Sequence, residues 1–133
     1  MRIVLLDTVG LLAMMDRRDQ WHEAANKAWA LLVAGPGRYV TTPQVMWECG
    51  NAMARTGHGE VVANLFQEMS EHGNLIDPSP SEVVAAWSAY RNAPAGGPSI
   101  VDCLSFEVMR RVGATESFTN DRHFAAAGFA TLF

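Results

Sequence analysis

The chain opens with Met1-Arg2-Ile3-Val4-Leu5-Leu6-Asp7, a short apolar run that ends on a carboxylate. Such a run is typical of a central strand that is buried on both faces of a sheet. It is too short for a signal peptide, and no later segment reaches the length of a membrane span. We therefore expect a cytoplasmic protein without a membrane segment, whose sheet begins at this stretch.

Helical and strand-like segments alternate after Asp7. Apolar spacing and breaker residues predict helices at 10–15, 20–33, 43–55, 60–70, 81–90 and 99–112, and strands at 38–42, 74–77, 115–119 and 129–133. Ser81 is the expected cap of the fifth helix. This alternation predicts an α/β fold with a mostly parallel sheet of four to five strands and helices on both faces. The length of 133 residues fits a single domain spanning residues 1–133.

Four acidic residues stand at positions that suggest chemistry. Asp7 and Asp121 follow predicted strands, at the sheet edge where ligands bind in such folds, although each could instead be only a helix cap. Glu48 and Asp102 lie on apolar helix faces with no basic residue one turn away, and an unpaired buried carboxylate is costly. Oxygen ligands of this kind suit Mg²⁺ or Mn²⁺ better than zinc. Such a site can polarise a phosphoryl oxygen and activate water.

The net charge and the absence of two common motifs limit the classes of function that the chain can have. With 14 Asp plus Glu against 10 Lys plus Arg, the formal charge is −4, which argues against binding nucleic acid through bulk positive charge but not against cutting it. No phosphate-binding Gly-x-x-x-x-Gly-Lys loop and no Gly-x-Ser-x-Gly elbow is present. Four arginines are candidates for phosphate contacts, against the simpler interpretation as solvated surface charge: Arg17, Arg18, Arg91 and Arg122.

The segments around the four acids resemble the PIN domain family, and specifically the VapC-type ribonuclease toxins of type II toxin–antitoxin systems. The resemblance covers the whole chain and rests on Val4-Leu5-Leu6-Asp7-Thr8, Trp47-Glu48, Ser99-Ile100-Val101-Asp102 and Thr119-Asn120-Asp121-Arg122-His123-Phe124. It implies a three-layer α/β/α sandwich and a metal-dependent endoribonuclease that hydrolyses RNA. Its catalytic and metal-binding residues would be Asp7, Glu48, Asp102 and Asp121. The family is often dimeric and is inhibited by a small antitoxin. The resemblance therefore implies a homodimer and a cognate antitoxin here.

One position departs from the family pattern. The family usually carries Ser or Asn two positions after the first acid, where this chain has Val9. Thr8 and Thr119 are the hydroxyls expected to support the metal or its waters instead. The departure leaves open a catalytically weak PIN-fold protein that acts as a binding module. A haloacid-dehalogenase-type phosphotransferase would need a second Asp at position 9, so that alternative is disfavoured.

Overall fold

The computed structural model describes residues 1–133 and contains one parallel sheet between two layers of helices. The strands are β1 (Ile3–Leu6), β2 (Arg38–Val40), β3 (Glu116–Phe118) and β4 (Ala130–Thr131). The helices are α1 (Thr8–Met15), α2 (His22–Ala34), α3 (Pro43–Met53), α4 (Gly59–Glu71), α5 (Pro80–Asn92), α6 (Ile100–Val112) and α7 (Arg122–Ala126). The strand order is β2-β1-β3-β4 and every pairing is parallel, which confirms the predicted α/β class.

The central strand β1 divides the core into two layers. Val4 and Leu6 belong to the larger core, which β1 shares with α1, α2, α3 and α4. Leu5 points to the other face and packs with Phe106 of α6 and Phe124 of α7. Successive side chains of a strand face opposite sides of the sheet, so three consecutive apolar residues require helices on both faces. The opening run of the chain thus produces the three-layer sandwich.

Helix α5 lies outside α6 rather than against the sheet. Ala86 of α5 packs with Cys103 and Leu104 of α6 in a small separate cluster. An ion pair between Arg111 Nε and Glu82 Oε2, at 2.9 Å, links the same two helices. The outer face of α5 is therefore left to solvent.

Two local predictions are wrong. Residues 74–77 form no strand, because only Leu75 makes an isolated bridge to Thr41, and the remaining backbone of the segment leads into α5. The cap of α5 is Ser79 and not Ser81, since the Ser79 hydroxyl accepts a hydrogen bond from Glu82 N while Pro80 occupies the first helical position. No helix is long and apolar enough to cross a membrane.

Candidate metal and catalytic site

Three of the four acids meet at the carboxyl end of the sheet. Asp7 follows β1, Asp121 lies three residues after β3, and Asp102 stands in the first turn of α6. One carboxylate oxygen from each lies within 4.8 Å of the other two. Asp7 is only 1% exposed and Asp102 8% exposed. The cluster is thus a compact set of oxygen atoms at the edge of the protein interior.

Each of these acids also accepts a hydrogen bond at the start of a helix. Asp7 Oδ2 accepts from Val9 N at 3.4 Å, Asp121 Oδ1 from His123 N at 2.9 Å, and Asp102 Oδ2 from Ser99 N at 3.0 Å. The positive end of the helix dipole favours a carboxylate at these positions. Asp102 and Asp121 each keep a second oxygen that receives no hydrogen bond from the chain. The helix starts therefore fix the side chains and leave oxygen atoms for another ligand.

The cluster carries negative charge without a protein counter-ion. The pKa of Asp7 is raised to about 7, because burial and the charges of Asp102 and Asp121 outweigh the hydrogen bond from the Thr119 hydroxyl, which lowers it. Burial also raises the pKa of Asp102, and the charges of Asp121 and Glu48 add to that effect. All four ion pairs of the chain lie elsewhere. A hard divalent cation that prefers carboxylate oxygens fits this donor set.

Two threonine hydroxyls organise the acids. Thr119 is fully buried, donates through Oγ1 to Asp7 Oδ2 at 2.8 Å, and accepts from Asp121 N at 3.0 Å, so it joins two members of the cluster. Thr8 Oγ1 donates to Glu48 Oε1 at 2.6 Å. Both are the hydroxyls expected from the sequence, and their contacts hold the acids in place.

Glu48 lies at the margin of the cluster. It is half-buried on α3 and is not one of the residues whose oxygen atoms converge within 4.8 Å. Thr8 nevertheless holds it next to Asp7, and its charge contributes to the raised pKa of Asp102. The structure thus brings three acids together and places the fourth beside them.

Ser99 also supports the cluster, although the sequence indicated it only as the start of a helix and as part of the segment around Asp102. Its backbone N–H donates to Asp102 Oδ2, and its hydroxyl accepts from Asp102 N at 3.1 Å, which is a complete capping box. The signal was visible as Ser99-x-x-Asp102 before an apolar run. The box fixes the carboxylate of Asp102 toward the cluster.

A parallel sheet between two helical layers, with acids converging beyond its central strands, is a PIN-like fold. No protein-family model matches the chain. Over 131 residues it is 27% identical to the "23S rRNA-specific endonuclease VapC20" of two strains of Mycobacterium tuberculosis, with 98% of each chain covered. The crystal structure of Mycobacterium tuberculosis VapC20, described as a sarcin–ricin loop cleaving toxin, superposes with a TM-score of 0.79 at 24% identity and 96% coverage of both chains. The chain is thus similar in sequence to a VapC-type endonuclease over nearly its whole length, and it has the PIN-like fold of VapC20.

Proposed function

We propose that this protein is a Mg²⁺- or Mn²⁺-dependent endoribonuclease and the toxin of a toxin–antitoxin pair. The observation that carries the proposal is the convergence of Asp7, Asp102 and Asp121 within 4.8 Å in a site without a protein cation. The similarity to VapC20, a 23S rRNA-specific endonuclease, supports the same function. Ribosomal RNA that contains the sarcin–ricin loop is therefore the first substrate to test.

The three clustered acids would hold the ion, with Glu48 beside it. When bound, the ion supplies positive charge to the phosphoryl oxygens and lowers the pKa of a coordinated water. Glu48 Oε1 accepts a hydrogen bond from the Thr8 hydroxyl, so Oε2 would be the oxygen that accepts a proton from the attacking water. Thr119 holds Asp7 and Asp121 close together, because its hydroxyl donates to the Asp7 carboxylate and accepts from the backbone N–H of Asp121. The partly exposed position of Glu48 suits a group that must exchange protons with solvent.

Val9 favours a second candidate function, a PIN-fold binding module with weak or no catalysis. Its side chain is 38% exposed beside Asp7, at a position where the family usually has a hydroxyl or an amide. The hydrogen bonds from Thr8 to Glu48 and from Thr119 to Asp7 hold these acids without a hydroxyl or amide at position 9. RNA binding without cleavage would favour the binding module.

The test is cleavage of a labelled RNA containing the sarcin–ricin loop by the purified chain with Mn²⁺ or Mg²⁺. We expect cleavage that EDTA abolishes and that Asp102→Asn eliminates. The matched control is Asp77→Asn, which changes an exposed acid outside the cluster and should cut at the wild-type rate. Full activity of Asp102→Asn would refute the proposed site.

An antitoxin and a cytoplasmic location complete the proposal. A toxin of this type would meet its RNA in the cytoplasm and would need a small inhibitory protein that covers the acidic cleft. Co-expression with the product of a neighbouring small gene should yield a complex in which the RNA cleavage is suppressed. If the protein cleaves RNA and no neighbouring gene product suppresses the cleavage, the protein is a nuclease without an antitoxin.

A further inference from the structure

The outer face of α5 exposes two aromatic side chains that the core does not use. Trp87 is 53% exposed and Tyr90 is 46% exposed, and their rings meet edge-on with centroids 5.6 Å apart. Val84, one turn earlier, is 70% exposed. A single exposed apolar residue needs no explanation, but a contiguous aromatic face is typical of a binding surface.

Arg91 adds positive charge to this face. It is exposed and forms no ion pair, whereas Arg2, Arg18, Arg110 and Arg111 all pair with acids. In a chain with a net charge of −4, an uncompensated guanidinium next to two exposed aromatic rings is a distinct local environment. Guanidinium groups bind phosphate through paired hydrogen bonds.

Two adjoining grooves run from this face to Ser99, the residue that caps the helix of Asp102. The first, of about 310 Å³, is lined by Val84, Trp87, Ser88 and Arg91. The second, of about 410 Å³, continues from Tyr90 and Arg91 along residues 93–98 to Ser99. Ser99 is the residue whose backbone N–H binds the Asp102 carboxylate. A strand of substrate at the acids can therefore extend along the second groove to the aromatic pair.

We propose that Trp87, Tyr90 and Arg91 form a subsite for single-stranded RNA beside the cleavage site. This inference rests on the proposed ribonuclease function. Bases stack on the exposed aromatic rings, and Arg91 pairs with a backbone phosphate. Exposed rings and a positive charge along a groove are the features that bind single-stranded nucleic acid, and this groove ends at Ser99 beside the proposed cleavage site.

RNA binding in a cleavage-deficient background tests the subsite separately from catalysis. In Asp102→Asn protein, a labelled single-stranded oligoribonucleotide should bind with a Kd roughly tenfold higher after Trp87→Ala or Arg91→Glu. RNA should also quench tryptophan fluorescence, and Trp87→Phe should remove most of that quenching. The matched controls are Trp47→Ala, a side chain 61% exposed on α3, and Arg55→Glu, another exposed arginine without an ion pair. Both controls should bind RNA as the background protein does.

Steady-state cleavage by the otherwise native chain provides the second readout. Trp87→Ala and Arg91→Glu should raise KM with little change in kcat, because they remove binding away from the reacting phosphate. Since both positions are exposed, the variants should keep the native circular dichroism spectrum and Tm. Unchanged Kd and KM would overturn the subsite while leaving the nuclease intact. RNA binding that depends on Trp87 without any cleavage would support the subsite and refute the nuclease.

A second copy of this chain is the competing occupant of the α5 face. If Trp87→Ala converts a dimer into a monomer and leaves the RNA Kd unchanged, the face is an interface between copies and the subsite is wrong. Light scattering of the same variants distinguishes these outcomes.

Discussion

Asp7 is both a helix cap and a candidate metal ligand. Its carboxylate caps α1 and also lies in the cluster with Asp102 and Asp121. The same holds for Asp121 at the start of α7 and for Asp102 in the capping box of α6. A carboxylate has two oxygens, so capping with one does not prevent ion binding with the other. A helix start can therefore fix a carboxylate without using the oxygen that a cation would need.

The raised pKa of Asp7 predicts a pH-dependent stability. Its carboxyl would lose its proton near pH 4 in the unfolded chain but only near pH 7 in the folded chain, so the folded state binds more protons between these values. The free energy of unfolding of the metal-free protein therefore falls as the pH rises from 4 to 7, by up to about 4 kcal/mol from this group. We expect Asp7→Asn to raise the Tm at pH 8 in EDTA and to change it little near pH 4.

Thermal melts of the two proteins across this pH range measure the effect. Asp77→Asn serves as the control, because an exposed acid outside the cluster should give no pH-dependent difference. An equal change in Tm at both pH values would contradict a burial cost at Asp7.

At the scale of elements, the close packing of α1 on β3 sets the position of the first acid. A Cβ on Gly10 would overlap the backbone carbonyl of Phe118, and a backbone atom cannot move aside as a flexible side chain can. We expect Gly10→Ala to lower the free energy of unfolding by about 1–3 kcal/mol or more. The matched control is Gly50→Ala in α3, where a Cβ meets nothing within 4 Å. Because alanine favours a helix more than glycine does, this substitution should stabilise the protein by up to about 1 kcal/mol. Urea denaturation of both variants tests the difference, and equal effects would contradict it.

The chain contains two capping boxes, and only one of them holds a member of the acid cluster. Ser99 and Asp102 form the box of α6, while Ser79 and Glu82 form that of α5. Ser99→Ala and Ser79→Ala should each cost about 1 kcal/mol of stability. Only Ser99→Ala should also lower the rate of RNA cleavage, because it removes the hydroxyl that accepts from Asp102 N and loosens that carboxylate. Equal activity losses in the two variants would assign the effect to global stability.

At the scale of the whole molecule, the proposed cation site would link folding to cation binding. An ion that binds only the folded state stabilises it by about 2.7 kcal/mol at 100 times its Kd. We expect Mn²⁺ to raise the Tm of the native chain, to raise it less for Glu48→Gln, and not to raise it for Asp7→Asn. Calorimetric melts with and without Mn²⁺ measure this, with Glu71→Gln as a control acid on the exposed end of α4. A shift of the same size in Asp7→Asn would place the ion elsewhere.

The exposed aromatic surface predicts self-association. Away from the α5 face, Trp21 and Trp47 are 46% and 61% exposed, so the core of one copy leaves much of these two side chains uncovered. We expect a dimer by light scattering at micromolar concentration. A monomer at all concentrations would contradict this prediction and would leave these side chains as candidate contacts for the antitoxin.

The sequence by itself determined the alternation of strands and helices, the parallel sheet and the identity of the clustered acids. Apolar periodicity and helix caps depend on residues a few positions apart, so they can be read along the chain. Only the tertiary structure decided that Glu48 lies beside the cluster and that residues 74–77 make a single bridge instead of a strand. It also decided that the aromatic face of α5 stays uncovered. These features depend on how distant segments pack, and a separation of a few ångströms between oxygens that are far apart in the chain leaves no local pattern.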